Sequence, residues 1–211
     1  HIKPGNLSDD FNQIKDADWI IEAVVERIDI KHQLYSQIDK VRSPNSIVSS
    51  NTSTIPLSVL TEEMSDSMKS DFCITHFFNP VRFMRLLEIV ETPQVNVKKI
   101  IALRDFCQNE LGKGIVNCND TPGFIGNRIG VYAMQVAMYE ALERGLPVEI
   151  ADALFGRPLG IPKTGVFGLY DLIGIDLMKD VLASFKKELQ EDDPFMEVVK
   201  PHPIVEKLLE K

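Results

Sequence analysis

Five short apolar runs, most of them separated by enough chain for a helix, constrain this sequence more than any other feature. They are Trp19-Ile20-Ile21-Glu22-Ala23-Val24-Val25, Ile47-Val48-Ser49-Ser50, Phe72-Cys73-Ile74-Thr75, Leu86-Leu87-Glu88-Ile89-Val90 and Ile115-Val116-Asn117-Cys118. Each is rich in β-branched or aromatic residues and bounded by turn formers, so each predicts a buried strand. Between the first two, Ile30, Leu34, Ile38 and Val41 recur at helical spacing. A polar helix is expected around Ser8 to Ala17 and a short helical piece after Pro56. A longer helix is expected from Val97 to Glu110, closed by Gly112. This strand–helix rhythm predicts a parallel sheet covered by helices on both faces. In such sheets ligands sit beyond the carboxyl ends of the strands. Glu26, Ser53 and His76 all lie at or just past a strand end, which predicts that they converge on one crevice.

The character changes at Asp120-Thr121-Pro122-Gly123. Asp120 or Thr121 suits a helix cap and Pro122 the first turn, which predicts a helix of about 22 residues ending at Gly145. Ile125, Ile129, Ala133 and Val136 form an apolar stripe along it, too wide to leave in water. Met134, Met138 and Tyr139 read as core or as a subunit surface, and Arg128 as a partner for Asp120 or a helix-end carbonyl. Further helices are expected over 148–155, 167–173 and 176–190, and from Pro203 to the end. No strand signal follows Cys118. The chain therefore divides near residue 119 into an α/β part, 1–119, and an all-helical part, 120–211.

Composition narrows the classes. At 211 residues and 44% hydrophobic the chain buries one good core or two modest ones. A net charge of −8 argues against nucleic acid and against an anionic membrane surface as partners. Cys73, Cys107 and Cys118 lack C-x-x-C spacing and leave one unpaired, which reads as reduced thiols in a reducing compartment. No run approaches the length of a membrane span.

Glu88 sits among Leu86, Leu87, Ile89 and Val90, a costly place for a carboxylate unless it is paired. His76, at the end of the preceding apolar run, is the nearby group that suits a buried ion pair and titrates near neutrality. A histidine oriented by a buried carboxylate is the layout of a general base. A core histidine satisfied by one hydrogen bond gives the same local pattern. Under the first reading the two side chains lie within hydrogen-bond reach.

Ser50-Asn51-Thr52-Ser53-Thr54, His76-Phe77-Phe78-Asn79-Pro80, Glu88 and Asp120-Thr121-Pro122-Gly123-Phe124-Ile125-Gly126-Asn127-Arg128 together resemble the L-3-hydroxyacyl-CoA dehydrogenase family. Gly165-Val166-Phe167-Gly168-Leu169-Tyr170-Asp171 is similar to a later segment of it. The resemblance runs in order from about residue 10 to residue 180. It implies a partial Rossmann-type parallel sheet followed by an all-helical C-terminal domain, NAD as cofactor, no metal, an acyl-CoA substrate and a homodimer through the helical part. It further implies a cytoplasmic enzyme, or one of the mitochondrial matrix in a eukaryote. His76 corresponds to the base that takes the proton of the 3-hydroxyl, and Glu88 to its orienting partner. Ser53 corresponds to the hydroxyl that meets substrate and cofactor, and Asn127 to an amide on the substrate oxygen. Glu26, Lys31 and Asn79 match positions near the dinucleotide, although a lysine on a helix is ordinarily solvated.

The chain departs from the family pattern in having no G-x-G-x-x-G, no acidic residue about 20 positions beyond it, and no region corresponding to the helices that hold coenzyme A. The expectation is a piece of a longer protein, with a hydratase-type domain open for the whole, whose 211 residues alone neither bind NAD tightly nor turn over substrate. Two alternatives stay open: a 3-hydroxybutyryl-CoA enzyme of another pathway, and a non-catalytic dimerisation module.

Overall fold

The structure, a computed structural model, describes residues 2–161, 163–200 and 205–207. It forms two compact units that divide between Phe124 and Ile125. The first contains β1 (Trp19–Glu22), α1 (Ile28–Val41), β2 (Ile47–Ser50), α2 (Leu57–Leu60), α3 (Asp66–Ser70), β3 (Phe72–Phe77), β4 (Leu86–Glu91), α4 (Val97–Asn109) and β5 (Gly114–Cys118).

The five strands form one sheet in sequence order. β1 with β2, β2 with β3 and β4 with β5 pair in parallel, whereas β3 and β4 pair antiparallel. The wholly parallel sheet expected from the sequence is corrected at that one pair. Only residues 78–85 separate the two strands, too few for the dozen or more of a parallel crossover. Alternate residues face opposite sides. Ile20, Val48, Phe72, Ile74 and Val90 pack with Tyr35, Ile38, Leu57, Leu60 and Met68. Ile47, Cys73, Leu87 and Ile89 pack with Ile100, Leu103 and Cys107 of α4 on the other face. Helices therefore cover both faces, as the continuous apolar runs require.

Three details differ from the sequence expectation. The run 19–25 is a strand only to Glu22, and β1 lies at an edge of the sheet with Ile21 and Val25 exposed. The expected helix around Ser8 to Ala17 is a 3-10 turn over Phe11–Asp16, with Phe11 and Ile14 on the core, the i, i+3 spacing that winding superposes. The sequence reading also passed over α3, whose amide at Met68 donates to the Ser65 hydroxyl at 3.1 Å.

The second unit holds α5 (Gly126–Glu143), α6 (Val148–Leu154), α7 (Phe167–Ile173) and α8 (Ile175–Glu188). Among the described residues no strand follows Cys118. Its core joins Val131, Ala137, Met138, Tyr170, Met178, Phe185 and Phe195, with Met134 and Tyr139 packed against it. Arg128 pairs with Asp193 rather than with Asp120. Asp120 does not cap α5: its carboxylate accepts the amides of Leu57 and Ser58 at 2.6 and 3.0 Å and so caps α2. Phe124, at φ 48°, is buried in the core of the first unit. Residues 120–124 thus stay with the sheet, and α5 begins only at Gly126, with 18 residues. Gly145, at φ 62°, stops the chain just past α5 as expected. The helix expected from Pro203 lies mostly outside the described residues; 205–207 are helical. Among the described residues no helix is long and apolar enough to cross a membrane.

Candidate active site

The antiparallel pairing of β3 and β4 sets His76 directly opposite Glu88, where cross-strand side chains on one face meet. His76 Nδ1 lies 2.7 Å from Glu88 Oε2, within the reach expected from the sequence. Both are buried, with 7% and 1% of their side chains exposed. The Cys118 thiol donates to Glu88 Oε1 at 3.6 Å. The rings of Phe78 and Phe124 lie 4.5 and 5.7 Å from the imidazole and give it apolar walls. An ionised carboxylate only accepts, so Nδ1 donates to it, and a neutral imidazole held in this way carries its lone pair on Nε2. A neutral ring in this setting can accept a proton at Nε2 beside the Glu88 carboxylate.

Because β1, β2 and β3 run parallel, their carboxyl ends share one edge of the sheet. The segment after β2 is anchored there by Asn51, whose side-chain oxygen accepts the Phe77 amide at 3.0 Å. It is anchored again by Glu26, which accepts the Thr52 hydroxyl, the Thr54 hydroxyl at 3.1 Å and the Ser53 amide at 3.3 Å. Ser53 is therefore held by its backbone beside Glu26, half-buried on the edge where β3 ends one residue past His76. Burial pushes the Glu26 carboxyl up, but the Thr52 hydroxyl, the Lys31 ammonium and the Thr54 hydroxyl outweigh it and leave it below its ordinary range.

Lys31 is not a solvated helix lysine. It is 1% exposed, and its ammonium lies 2.8 and 2.9 Å from the two oxygens of Glu22 and 3.1 Å from Glu26. Glu22, which the sequence reading did not single out, also accepts the hydroxyls of Tyr35 and Ser50, each at 2.6 Å. Burial, with the Glu22 carboxylate beside it, pushes the Tyr35 hydroxyl far up, so it remains a donor. The signal was in the sequence: Glu22 is a carboxylate inside an apolar run, as Glu88 is. Asn79 is exposed just past β3, at a cis Asn79–Pro80 bond. Asn127 belongs to the second unit, as the second residue of α5, and is half-buried. The hydroxyls, amides and carboxylate gathered on the β1–β2 edge fit a dinucleotide, which binds sheets of this kind beyond their carboxyl ends.

Comparison with known proteins agrees with this geometry. Residues 1–121 match the 3-hydroxyacyl-CoA dehydrogenase, NAD binding domain, and residues 123–211 match the 3-hydroxyacyl-CoA dehydrogenase, C-terminal domain. A Rickettsia felis protein named as a fatty acid oxidation complex trifunctional enzyme is 44% identical over 210 residues, 100% of this chain and 29% of its own length. Mouse mitochondrial hydroxyacyl-coenzyme A dehydrogenase is 33% identical over 192 residues, covering 90% of this chain and 59% of its own length. Among solved structures, FadB2 of M. tuberculosis superposes with a TM-score of 0.80 at 28% identity, over 96% of this chain and 69% of that one. The Escherichia coli 3-hydroxybutyryl-CoA dehydrogenase gives 0.76 at 26%, over 95% and 41%. The chain thus spans less than a third of its Rickettsia felis relative and about three fifths of the mouse protein. With both of its units matched in order, the chain belongs to the 3-hydroxyacyl-CoA dehydrogenase family.

Proposed function

We propose that the protein carrying this chain oxidises an L-3-hydroxyacyl-CoA to the 3-oxoacyl-CoA, with NAD as hydride acceptor. The observation that carries this reading is the buried His76–Glu88 pair at 2.7 Å. Bound NAD would supply the acceptor for the hydride at C3. Nε2 of His76 takes the proton of the 3-hydroxyl, so that its O–H electrons form the carbonyl. Glu88 holds the ring by Nδ1 and offsets the positive charge that appears on it. Ser53 and Asn127 are assigned to substrate contact, and Glu26, Lys31 and Asn79 to the dinucleotide side. The test is NADH formation by the full-length protein with L-3-hydroxyacyl-CoA thioesters of increasing chain length. Glu88→Gln is expected to lower kcat by roughly 10²-fold or more, the lower end of what general acid–base help supplies. An unaltered kcat removes the pair from the mechanism, and no NADH from any thioester returns the chain to a non-catalytic module.

A second reading, 3-hydroxybutyryl-CoA as the preferred substrate, is favoured by the solved relatives from Escherichia coli and Ralstonia eutropha that bear that name. The same series decides it: kcat/KM highest at four carbons supports the short-chain reading.

We also propose a homodimer through the helical unit. Ile129, Leu154, Leu172 and Leu177 are each more than half exposed there, and a helical interface that covers them would take that apolar area out of water. Light scattering at micromolar concentration is expected to give twice the chain mass; a clean monomer contradicts it.

A further inference from the structure

We propose that Glu22 is a positioning residue for the dinucleotide side of the site, holding Lys31 and Ser50 so that Glu26 and the segment 51–54 are fixed where the cofactor is met. The proposal rests on the reading of Glu26 and Ser53 as cofactor contacts.

Glu22 closes β1, and its side chain is fully buried. Oε1 accepts Lys31 Nζ at 2.8 Å and the Val24 amide at 2.7 Å. Oε2 accepts Lys31 Nζ at 2.9 Å and the Tyr35 and Ser50 hydroxyls at 2.6 Å. One carboxylate therefore joins the turn after β1, two residues of α1 and the end of β2. Two routes lead outward from it. Through Ser50, whose oxygen accepts the Thr52 amide at 3.2 Å, it reaches the 51–54 segment from below. Through Lys31, 3.1 Å from Glu26 Oε2, it reaches the carboxylate that holds Thr52, Ser53 and Thr54 from the side.

The charges give these routes a direction. Two carboxylates share one ammonium, and of the three side chains only Glu26 is exposed, at 37% against 0% and 1%. Buried ion pairs are weak contributors to stability, and well-packed apolar residues often replace them without loss. A chain that needed only a packed β1–α1 contact has no use for four donors on one buried carboxylate. Removing the charge of Glu22 leaves Lys31 with Glu26 as its remaining carboxylate. Lys31 then draws Glu26 inward and releases the Ser53 amide, while the His76–Glu88 pair, on other strands, is untouched.

Glu22→Gln in the full-length protein keeps the shape and removes the charge. It is expected to raise KM for NAD and the Kd of NADH about tenfold, the size of coupling usual between groups in one buried network. KM for the acyl-CoA and the pH profile of kcat should stay as in the parent. A purely structural Glu22 lowers the folded fraction, and with it the apparent kcat, while KM for NAD stays put; that result overturns the proposal. If Glu22→Gln does not fold, Tyr35→Phe removes one donor and leaves the ion pair. A Kd for NADH about threefold higher is then expected, and an unchanged one overturns the proposal. Glu26→Gln separates the two layers. If it leaves NADH affinity unchanged, the reading of Glu26 itself fails. If it weakens NADH while Glu22→Gln and Tyr35→Phe do not, only the positioning role fails.

Discussion

Glu22 and Glu88 are carboxylates buried in apolar strands, and a specific set of donors meets each. Glu88 has His76 across the strand pair and the Cys118 thiol; Glu22 has Lys31, Tyr35 and Ser50. Glu26 lies at the rim, and its lowered pKa has a defined consequence. The ionised form is favoured in the folded state, so its contribution is present above the ordinary value of 4.5 and is lost as pH falls through the lower folded value. The melting temperature of Glu26→Gln should therefore change less with pH below that point than the parent's; parallel curves would contradict the assignment. The thiols differ in kind. Burial pushes Cys107 up to about 11 and Cys73 further, so both should resist alkylation at about pH 8 until the protein unfolds. Rapid labelling of either in the folded protein would show that the α4 face opens. At this scale the sequence disclosed the His76–Glu88 pair because an unpaired carboxylate among Leu87 and Ile89 is untenable. The same argument applied to Ile20-Ile21-Glu22 would have found the second hub. It would not have found Lys31 as partner, since nothing in a helical lysine's neighbours along the chain tells a buried ammonium from a solvated one.

Elements depend on end contacts that run between distant segments. Asp120 caps α2 from 62 and 63 residues away, so Asp120→Ala should cost about 1 kcal/mol and lower the melting temperature by about 2–4 °C. No change would mean that water replaces the cap. Asp152, in α6, caps α7 through the amides of Phe167 and Gly168 at 2.7 and 2.9 Å. Gly165 lies against it at φ +65°, where an added Cβ would come 2.5 Å from the Asp152 backbone. Gly165→Ala should therefore destabilise the helical unit by about 2–4 kcal/mol, read by helical circular dichroism on heating; a neutral result would show that the 163–166 turn relaxes freely. Helices such as α1, α4, α7 and α8 were legible to within a few residues because their apolar stripes are local. The start of α5 was not, because Asp120-Thr121-Pro122 carries every local mark of a helix start while the Asp120 carboxylate is engaged elsewhere. The five-residue α3 has too little length to show a period.

On the scale of the whole molecule, one antiparallel pairing sets His76 across from Glu88. Had β4 run parallel to β3, Glu88 would not stand across from His76 in the register that joins them. The apolar runs disclosed a sheet with helices on both faces, but strand direction depends on the connection, and the short segment 78–85 decided it. If this register makes His76 a base rather than a core histidine, the rate depends on its imidazole and cofactor binding does not. The most direct measurement is His76→Gln in the full-length protein, with kcat and NADH affinity determined on the same preparation. A catalytic base at this position gives a kcat lower by roughly 10²–10⁴-fold and a Kd for NADH equal to the parent's. A kcat near the parent's, or NADH binding lost along with the rate, would contradict it and make His76 a structural residue of the sheet.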